Sequence, residues 1–354
     1  MAVLIVLLSH LSLAHLSFHP ALDFSGGGQY GVFLFFTLSS FLLTVMMLNG
    51  DFKDPRCWGH YLLRRLFRIF PLYLTVLLVC LAGAPYFTPI SFPEFWRHLA
   101  LQEGKNVFWT IAVEFKFYLV LPFILLSTSW LIRRSFTAAV LALFLSAVVI
   151  SIFVGLPSEA KVHDIHLLPY LPIFLLGIFA AVIHLKAEER GGIQSDVFKI
   201  LLEWVGVLAL LVVFATFPPA WKRFTGHWVS REHFHHQILL YATAWTIVLF
   251  SALHGSGFLK SVLSLKAVRF FGAVSYSIYL WHMPVRNWVN DGIQGPAPLK
   301  ALLVLMIVTA VSTLSFLLIE RPFLRWGRRR QTQAVFAPQP AQTKGSEIYE
   351  SSRS

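Results

Sequence analysis

Long apolar runs follow one another along most of the chain, and short polar segments separate them. Each run holds about 20 residues, which is the length that an α-helix needs to cross a bilayer. The pattern predicts an all-α integral membrane bundle of about ten transmembrane helices, at residues 2–18, 30–48, 69–84, 108–130, 136–156, 167–185, 200–217, 238–254, 268–288 and 299–319. The transmembrane domain therefore spans residues 1–330, and the polar tail at 331–354 is predicted to be disordered.

Composition also indicates a membrane protein. Hydrophobic residues make up 56% of the chain and charged residues only 13%, whereas a soluble domain carries about one quarter charged residues. The net charge of +12 would suggest a nucleic-acid partner in a soluble protein, but the positions of Lys and Arg relative to the spans explain it better. We therefore expect the lipid bilayer as a partner, and no nucleic acid.

Lys and Arg are distributed unevenly between the two ends of the predicted spans. If both termini are cytoplasmic, the cytoplasmic segments near the membrane hold eighteen of these residues and the opposite loops hold eight. Cytoplasmic loops of membrane proteins carry such an excess. The asymmetry predicts a multi-pass protein of the inner (plasma) membrane with both termini in the cytoplasm.

Two charged residues interrupt the run VFWTIAVEFKFYLVLP at residues 107–122. Placing a charge at membrane depth costs at least ~2.5 to 3.5 kcal/mol, so Glu114 and Lys116 need partners, water or a function. Glu114 is therefore a candidate site residue. The alternative is structural: Glu114 would be a buried hydrogen-bonding group, and Lys116 would extend towards the interface or pair nearby.

Further polar residues are predicted near the depth of Glu114. That residue lies some six residues below the outer end of its span, roughly 9 Å at 1.5 Å per residue, and His10 lies at a comparable level in the first span. Ser39 falls near the middle of the second span. The span at 268–288 adds Ser275 and Ser277 in its inner half and Tyr279 and His282 in its outer half. A lone His in an apolar helix is more often structural, but the shared depth favours a polar site inside the bundle.

Five motifs occur in a definite order along the chain: GVFLFFTLSSFL, LLRRLFRIFPLY, FWTIAVEFKFYLVLP, FGAVSYSIYLWH and a closing ERP. In their order and spacing the chain resembles the acyltransferase 3 family, which comprises membrane-bound O-acyltransferases that typically acetylate surface polysaccharides, lipid-linked sugars and some secreted small molecules. The resemblance runs from about residue 1 to 330. It implies about ten spans, cytoplasmic acyl-CoA as the donor and an acceptor hydroxyl usually on the outer side.

The resemblance also implies roles for individual residues. The reactive His of the family falls on His10, with His15 as a second candidate, and the family's Glu falls on Glu114. The donor-binding Arg pattern falls on Arg65 and Arg68, with Arg64 beside them. The substrate path then comprises Ser39, Trp109, Tyr118, Ser275, Tyr276, Ser277, Tyr279 and His282.

Three positions depart from the family pattern. Lys116 stands where a Gln is usual, and Ser40 replaces the usual Gly after Ser39. The family also has an Arg about eleven residues before its reactive His, a position that here would precede Met1. The expectation is that the true start lies upstream or that this chain lacks the residue.

The chemistry of acyl transfer is consistent with these residue types. Transfer from a thioester to a hydroxyl needs a base for the hydroxyl proton, donors for the oxyanion and cations for the phosphates of the coenzyme. His10 is predicted as the base, with Glu114 or a Tyr orienting it. Arg65 and Arg68, three residues apart on one helix, suit phosphate binding, although plain membrane topology is the alternative explanation. For the Tyr and Ser residues of the span at 268–288, lining the acyl path and packing between helices are both open.

No metal site and no permanently bound cofactor are predicted, and acetyl-CoA or another acyl-CoA is expected as the donor substrate. Four histidines crowd one outer loop, His227, His233, His235 and His236, but no Cys or carboxylate cluster completes a ligand set. The predicted function is an acyltransferase that moves an acyl group, expected to be acetyl, to a hydroxyl of a glycan, glycolipid or related acceptor. The alternative is a transporter or flippase for a lipid-linked sugar or small anion, in which the same buried residues would gate the pathway or bind the substrate.

Overall fold

The structure, a computed structural model, describes residues 1–19, 22–50, 55–155, 164–228 and 237–327. Within these ranges every regular element is a helix. The helices are α1 (Ala2–Leu13), α2 (Gly28–Leu48), α3 (Pro55–Leu81), α4 (Phe92–Leu99), α5 (Trp109–Arg134), α6 (Phe136–Gly155), α7 (Leu171–Glu189), α8 (Asp196–Ala215), α9 (Pro218–Thr225), α10 (Ile238–His254), α11 (Phe258–Leu263), α12 (Lys266–Ala273), α13 (Ser275–Gly292) and α14 (Ala297–Ser315). A π-helical turn, Phe316–Glu320, continues α14, and the tail at 331–354 lies outside the described residues.

Six of these helices are long and apolar enough to cross a membrane. They include α2, α5, α6, α7 and α8, together with the continuous segment Ala297–Gly327 that begins with α14. The apolar helices α1 and α10 are shorter. The all-helical membrane bundle is thus confirmed, whereas the predicted count of ten spans is not.

Two predicted spans differ from the observed helices. The third span was expected from residue 69, but α3 begins at Pro55 and carries the basic residues inside the helix. The span at 268–288 is two helices, because Val274 leaves the helical conformation (φ −97°, ψ 10°). Hydropathy misses both features, since it assigns charged turns to loops and does not detect a one-residue break. The amphipathic α12 has no buried residue, as expected for a helix at an interface.

The centre of the bundle is formed by α2, α5 and α7. The ring of Phe117 stacks on that of Phe174 at 4.0 Å, and Phe36 stacks on the other side of Phe174 at 4.7 Å. Gly177 lets α7 approach α2 closely, because a Cβ atom there would lie 1.9 Å from the hydroxyl of Ser40. Small residues allow such approaches between membrane helices. This contact fixes the rotation of α2 and hence the direction of its polar face.

The outer helices present their apolar side chains away from the protein. Only 17% of the apolar stretch of α6 and 22% of that of α8 are buried, against 61% for α2 and 67% for α7. Large side chains on α6 and α8 remain exposed, among them Leu145, Phe153 and Leu208. Continuous exposed apolar surface of this extent is what a lipid-facing helix requires.

A second apolar cluster joins α1, α13 and α14, separately from the main core around α2, α5 and α7. Leu7 of α1, Ile278 of α13 and Val304 of α14 are among its buried members. Because the two clusters meet along α1, α2, α5 and α13, the border between them is the place where polar residues can lie inside the bundle.

The segment before α5 is tied down by a capped short helix. Ser91 and Glu94 form a capping box at the start of α4, and Lys105 forms an ion pair with Glu94. Hydrogen bonds from Lys105 and from Ser91 lower the pKa of Glu94 to about 2. The carboxylate therefore stays charged at neutral pH and holds the loop that leads into α5.

The orientation of the bundle can be tested by cysteine labelling. In a variant without Cys57 and Cys80, we expect Lys222→Cys to react with a membrane-impermeant maleimide in intact cells, and Gln194→Cys to react only after lysis. Lys222 is exposed on the short helix α9 and Gln194 is exposed in the connection between α7 and α8. The excess of Lys and Arg predicts that the second position is cytoplasmic. The reverse labelling pattern would refute the predicted topology.

Candidate active site

A cavity of 380 Å³ lies at the border between the two apolar clusters. Its walls come from α1, α2, α3, α5, α12 and α13, so six stretches distant in sequence enclose it. Eight of the predicted site residues line it: Ser39, Arg65, Arg68, Glu114, Tyr118, Ser275, Tyr276 and Tyr279. The remaining walls are mostly apolar, which suits an acyl chain better than a sugar.

Glu114 is held on one side of this cavity by two hydroxyl groups. The residue is 4% exposed, and its Oε1 accepts hydrogen bonds from Ser39 at 2.9 Å and from Tyr118. Glu114 and Tyr118 lie one turn apart on α5, which places them on the same face. The charges of Arg65 and Arg68 act on the carboxylate across the cavity. The buried carboxyl group is thus hydrogen-bonded, as a buried polar group requires, and two guanidinium groups line the same cavity.

Lys116 points away from this network. Its Nζ donates a hydrogen bond to the carbonyl of Ile165 at 2.8 Å, in the segment before α7. Of the two charges in the predicted span, the carboxylate therefore belongs to the cavity and the ammonium to a helix connection, as residues two apart on a helix face different directions.

A basic mouth adjoins the cavity. This second space has a volume of 700 Å³ and is lined by Arg64, Arg65, Arg68 and Arg269, with Glu320 at its edge. Arg65, Arg68, Gly272 and Tyr276 line both spaces, so the two spaces adjoin each other. The buried Nε of Arg65 has no hydrogen-bond partner among the described residues. Four guanidinium groups around one opening form a suitable site for phosphates.

Arg269 is a site residue that sequence reasoning missed. It was counted only as part of the cytoplasmic charge excess. The sequence of α12 contains an indication of this role, because the helix is strongly amphipathic and carries Arg269 three residues before Gly272, which also lines the mouth. Only the break at Val274 turns this helix so that Arg269 joins the three arginines of α3.

Three predicted path residues lie outside both cavity linings; His282 is described below, and the other two are Ser277 and Trp109. Ser277 is fully buried and donates a hydrogen bond to Glu320, which accounts for the closing Glu of the last motif. Trp109 packs edge-on against Phe36 and lies beside the ring of Tyr170. Both therefore join helices to one another, which is the packing role that the sequence left open.

The ring of His10 lies beside the ring of His282, and neither residue lines the cavity or the basic mouth. Their ring centroids are 5.0 Å apart. The Nδ1 atom of His282 lies 2.6 Å from the carbonyl of Tyr279, and its buried Nε2 has no partner among the described residues. Arg286 donates a hydrogen bond to the carbonyl of His10 at 3.4 Å. His10 and His282 are 272 residues apart in the sequence, and the fold brings their imidazole rings into contact.

His10 and Glu114 have different neighbours in the structure. The cavity that holds Glu114 is lined by Tyr276, and His282 follows six residues later on α13, about 9 Å further along the helix. Glu114 forms its hydrogen bonds with Ser39 and Tyr118, whereas His10 lies beside His282. Helix α1 is only twelve residues long, so His10 lies in its last turn.

Tyr279 separates the cavity from the histidine pair. Its ring lies 5.7 Å from that of His282. Its hydroxyl donates a hydrogen bond to the carbonyl of Val107 at 2.9 Å and accepts one from the hydroxyl of Thr110 at 3.0 Å. A side chain hydrogen-bonded in this way has a defined position, and its rotation would join the cavity to the histidines.

The N-terminus of α2 lies beside His10. A Cβ atom at Gly28 would be 3.8 Å from Nε2 of His10 and 3.4 Å from the hydroxyl of Ser9. The first N–H groups of a helix have no intrahelical acceptor. The start of α2 and the imidazole of His10 are therefore neighbours, so backbone donors of α2 lie close to this side chain.

Comparison with known proteins identifies the family of the domain. The acyltransferase domain of the acyltransferase 3 family matches residues 1–320. No solved structure matches the chain significantly.

Three curated relatives are similar to the chain. The O-acetyltransferase OatA of Staphylococcus aureus is 25% identical over 361 residues, which cover 92% of this chain and 56% of that protein. The putative peptidoglycan O-acetyltransferase YrhL of Bacillus subtilis is 25% identical over 369 residues, with 92% and 55% covered. The peptidoglycan O-acetyltransferase OatA of Listeria monocytogenes is 22% identical over 349 residues, with 89% and 54% covered.

The chain spans about half the length of the curated relatives it matches. The family match, by contrast, includes residues 1–320 of this 354-residue chain. It therefore includes every part of the candidate site except the residues of the mouth that follow Glu320. The chain therefore belongs to the acyltransferase 3 family.

Proposed function

We propose that the protein is a membrane-bound O-acyltransferase that moves an acyl group, acetyl, from cytoplasmic acyl-CoA to a hydroxyl of a glycan or glycolipid. The observation that carries the proposal is a row of adjoining features, from the arginine-lined mouth to the Glu114 cavity and on to Tyr279 beside the histidine pair. We propose that they form one passage for the donor. A donor entering from one face and an acceptor from the other would meet at His10.

The mouth is suited to the nucleotide part of the donor. Its 700 Å³ and its four arginines provide the space and charge for the phosphates, and Arg binds phosphate through two parallel N–H groups. The pantetheine arm would then pass the shared residues Arg65 and Tyr276 into the apolar cavity. The thioester would reach the level of Tyr279, and rotation of that side chain would expose it to His10.

The reaction at this point is an acyl substitution. His10 takes the proton of the acceptor hydroxyl, and the hydroxyl oxygen attacks the thioester carbonyl. The N–H groups at the start of α2 stabilise the oxyanion. As the C–S bond breaks and the C–O bond of the ester remains, the proton passes from His10 to the departing thiolate of CoA. No further reactant is needed.

Glu114 has a positioning role in this scheme. It orients Ser39 and Tyr118 and balances Arg65 and Arg68, so it maintains the shape and charge of the cavity through which the donor passes. The acceptor is proposed to be a glycan because two of the relatives are named as peptidoglycan O-acetyltransferases, one of them putatively.

We expect Arg68→Ala and Arg269→Ala to weaken the binding of acetyl-CoA to the purified protein by ~1.5 to 3 kcal/mol each, as for a lost charge-assisted hydrogen bond. Replacement by Lys should restore only part of the affinity, since Lys makes no bidentate contact. Equilibrium binding of radiolabelled acetyl-CoA measures the effect. Arg133→Ala, an exposed arginine at the end of α5, is the matched control and should bind normally.

If both Arg68→Ala and Arg269→Ala left the dissociation constant for acetyl-CoA unchanged, these arginines would not bind the donor. They would then contribute only to the orientation of the protein in the membrane. The function itself is tested by incubating the protein with radiolabelled acetyl-CoA and a glycan acceptor and by measuring acceptor-dependent release of CoA. A transporter would release none.

A further inference from the structure

A histidine pair outside the passage lies with a carboxylate at neighbouring ends of α7 and α10. Nδ1 of His184 is 2.9 Å from Nε2 of His254, and Nδ1 of His254 is 3.9 Å from Oε1 of Glu188. Each of the three residues offers one ligand atom within 4.8 Å of the others. His184 and Glu188 are four apart on α7, so they share one face of the helix. None of the three lines either cavity of the passage.

We propose that His184, His254 and Glu188 bind one divalent transition-metal ion of the Zn²⁺ class. Two imidazoles and one carboxylate form the ligand set of many open zinc sites, in which water occupies the fourth position. Imidazole nitrogens bind zinc at ~2.0 to 2.1 Å, so two nitrogens on one ion lie within about 4 Å of each other. The two histidines already meet this requirement. Glu188 is exposed in the last turn of α7, and its carboxylate already lies within 4.8 Å of the two imidazole ligand atoms.

The surroundings hold the histidines in position. The ring of Phe41 lies 5.4 Å from that of His184, and the ring of Phe250 lies 4.6 Å from that of His254. His254 itself is 7% exposed. An apolar shell on one side and an exposed carboxylate on the other leave one direction open, from which an ion enters.

The end of α10 is anchored independently of any ion. Glu203 of α8 accepts hydrogen bonds from the backbone N–H groups of Gly257 at 2.9 Å and Leu259 at 2.7 Å, directly after His254. Preorganised ligands raise metal affinity because little conformational entropy is lost on binding. His254 is therefore the fixed ligand of the proposed site, and His184 and Glu188 of α7 complete the ligand set.

A metal here would join α7 to α10. Since α7 packs closely on α2 through Gly177 and Ser40, and the neighbouring Ser39 bonds Glu114, the ion would stabilise the helix pair that supports the cavity wall. The role is structural, and binding can be measured without any enzymatic turnover. Failure of the proposed acyl transfer would therefore leave this proposal standing, and the reverse holds too.

The test is a titration of the full chain in detergent, purified through a tag without histidine and treated with a chelator. Co²⁺ is the probe because its visible absorption reports the ligand geometry. We expect one Co²⁺ per chain, displacement by Zn²⁺, and a melting temperature that rises with metal concentration, since a ligand of the native state stabilises it.

Variants at the exposed side of the site decide the assignment. His184→Ala and Glu188→Gln should each lower the affinity for Co²⁺ by more than the ~10- to 100-fold that follows loss of a supporting residue. Glu189→Gln is the matched control, because Glu189 is adjacent but pairs with Lys186. A second control replaces His227, His233, His235 and His236 together by Ala, and should bind Co²⁺ as the parent does.

The proposal is overturned if the parent binds no Co²⁺, if His184→Ala and Glu188→Gln bind it as tightly as the parent, or if the fourfold histidine variant loses the binding. Because His254 is buried and its replacement could prevent folding, the test does not depend on it.

Discussion

Replacing His10 by Ala is expected to abolish acyl transfer while insertion, folding and donor binding stay near normal. His10 lies at the outer end of the passage, beside His282 and the N-terminus of α2, and far from the arginine-lined mouth. General-base catalysis contributes ~10²- to 10⁴-fold, so the loss of rate should be of this size. Acceptor-dependent CoA release gives the rate, and acetyl-CoA binding shows that the protein is intact.

The matched control is His15→Asn. His15 is exposed and has a positive φ of 57°, a conformation that Asn adopts more readily than most residues. This variant should keep most of the activity. If His10→Ala or His10→Gln transferred acetyl at close to the parent rate, the base would lie elsewhere, and His282, with its unpartnered Nε2, would be tested next.

Glu114→Ala is expected to lower the free energy of unfolding by ~2 to 6 kcal/mol, because two buried hydroxyl groups would each be left without an acceptor at a cost of ~1 to 3 kcal/mol. These are the hydroxyls of Ser39 and Tyr118. Denaturant unfolding of the purified protein in detergent measures the change. Glu114→Gln should cost less, because the amide oxygen can still accept a hydrogen bond.

A variant that removes only one hydrogen bond of this network gives the reference value for the change in unfolding free energy. Ser39→Ala removes one hydrogen bond to Glu114 and should cost only ~0.5 to 1.5 kcal/mol, or up to about 3 because the acceptor is charged. A Glu114→Ala protein as stable as the parent would mean that the carboxylate is not the centre of the network.

The sequence by itself determined the class of the protein and the types of residue in its interior. The cost of placing a polar group in lipid applies to each residue separately, so runs of apolar residues and the exceptional Glu114 could be recognised without knowledge of any contact. The charge asymmetry is likewise a property of the sequence. The arginines of α3 were identified in this way, and the structure places them around one opening.

Only the tertiary structure decided which residues meet. Glu114 bonds Ser39 and Tyr118, His10 lies beside His282, and Ser277 bonds Glu320. From the sequence, Glu114 or a Tyr was predicted to orient His10, and Ser277 could either line the substrate path or pack between helices. Arg269 reached the mouth through a one-residue break, and His184 met His254 across 70 residues of sequence.

The physical reason is the nature of helix association in a membrane. Lipid is as apolar as the side chains that face it, so apolar patterning does not select the rotation or partner of a helix. That choice depends on close approaches such as the one between Gly177 and Ser40, and on hydrogen bonds between distant helices. The sequence therefore determined that polar groups are buried here, and the packing of the helices determined which of them form the site.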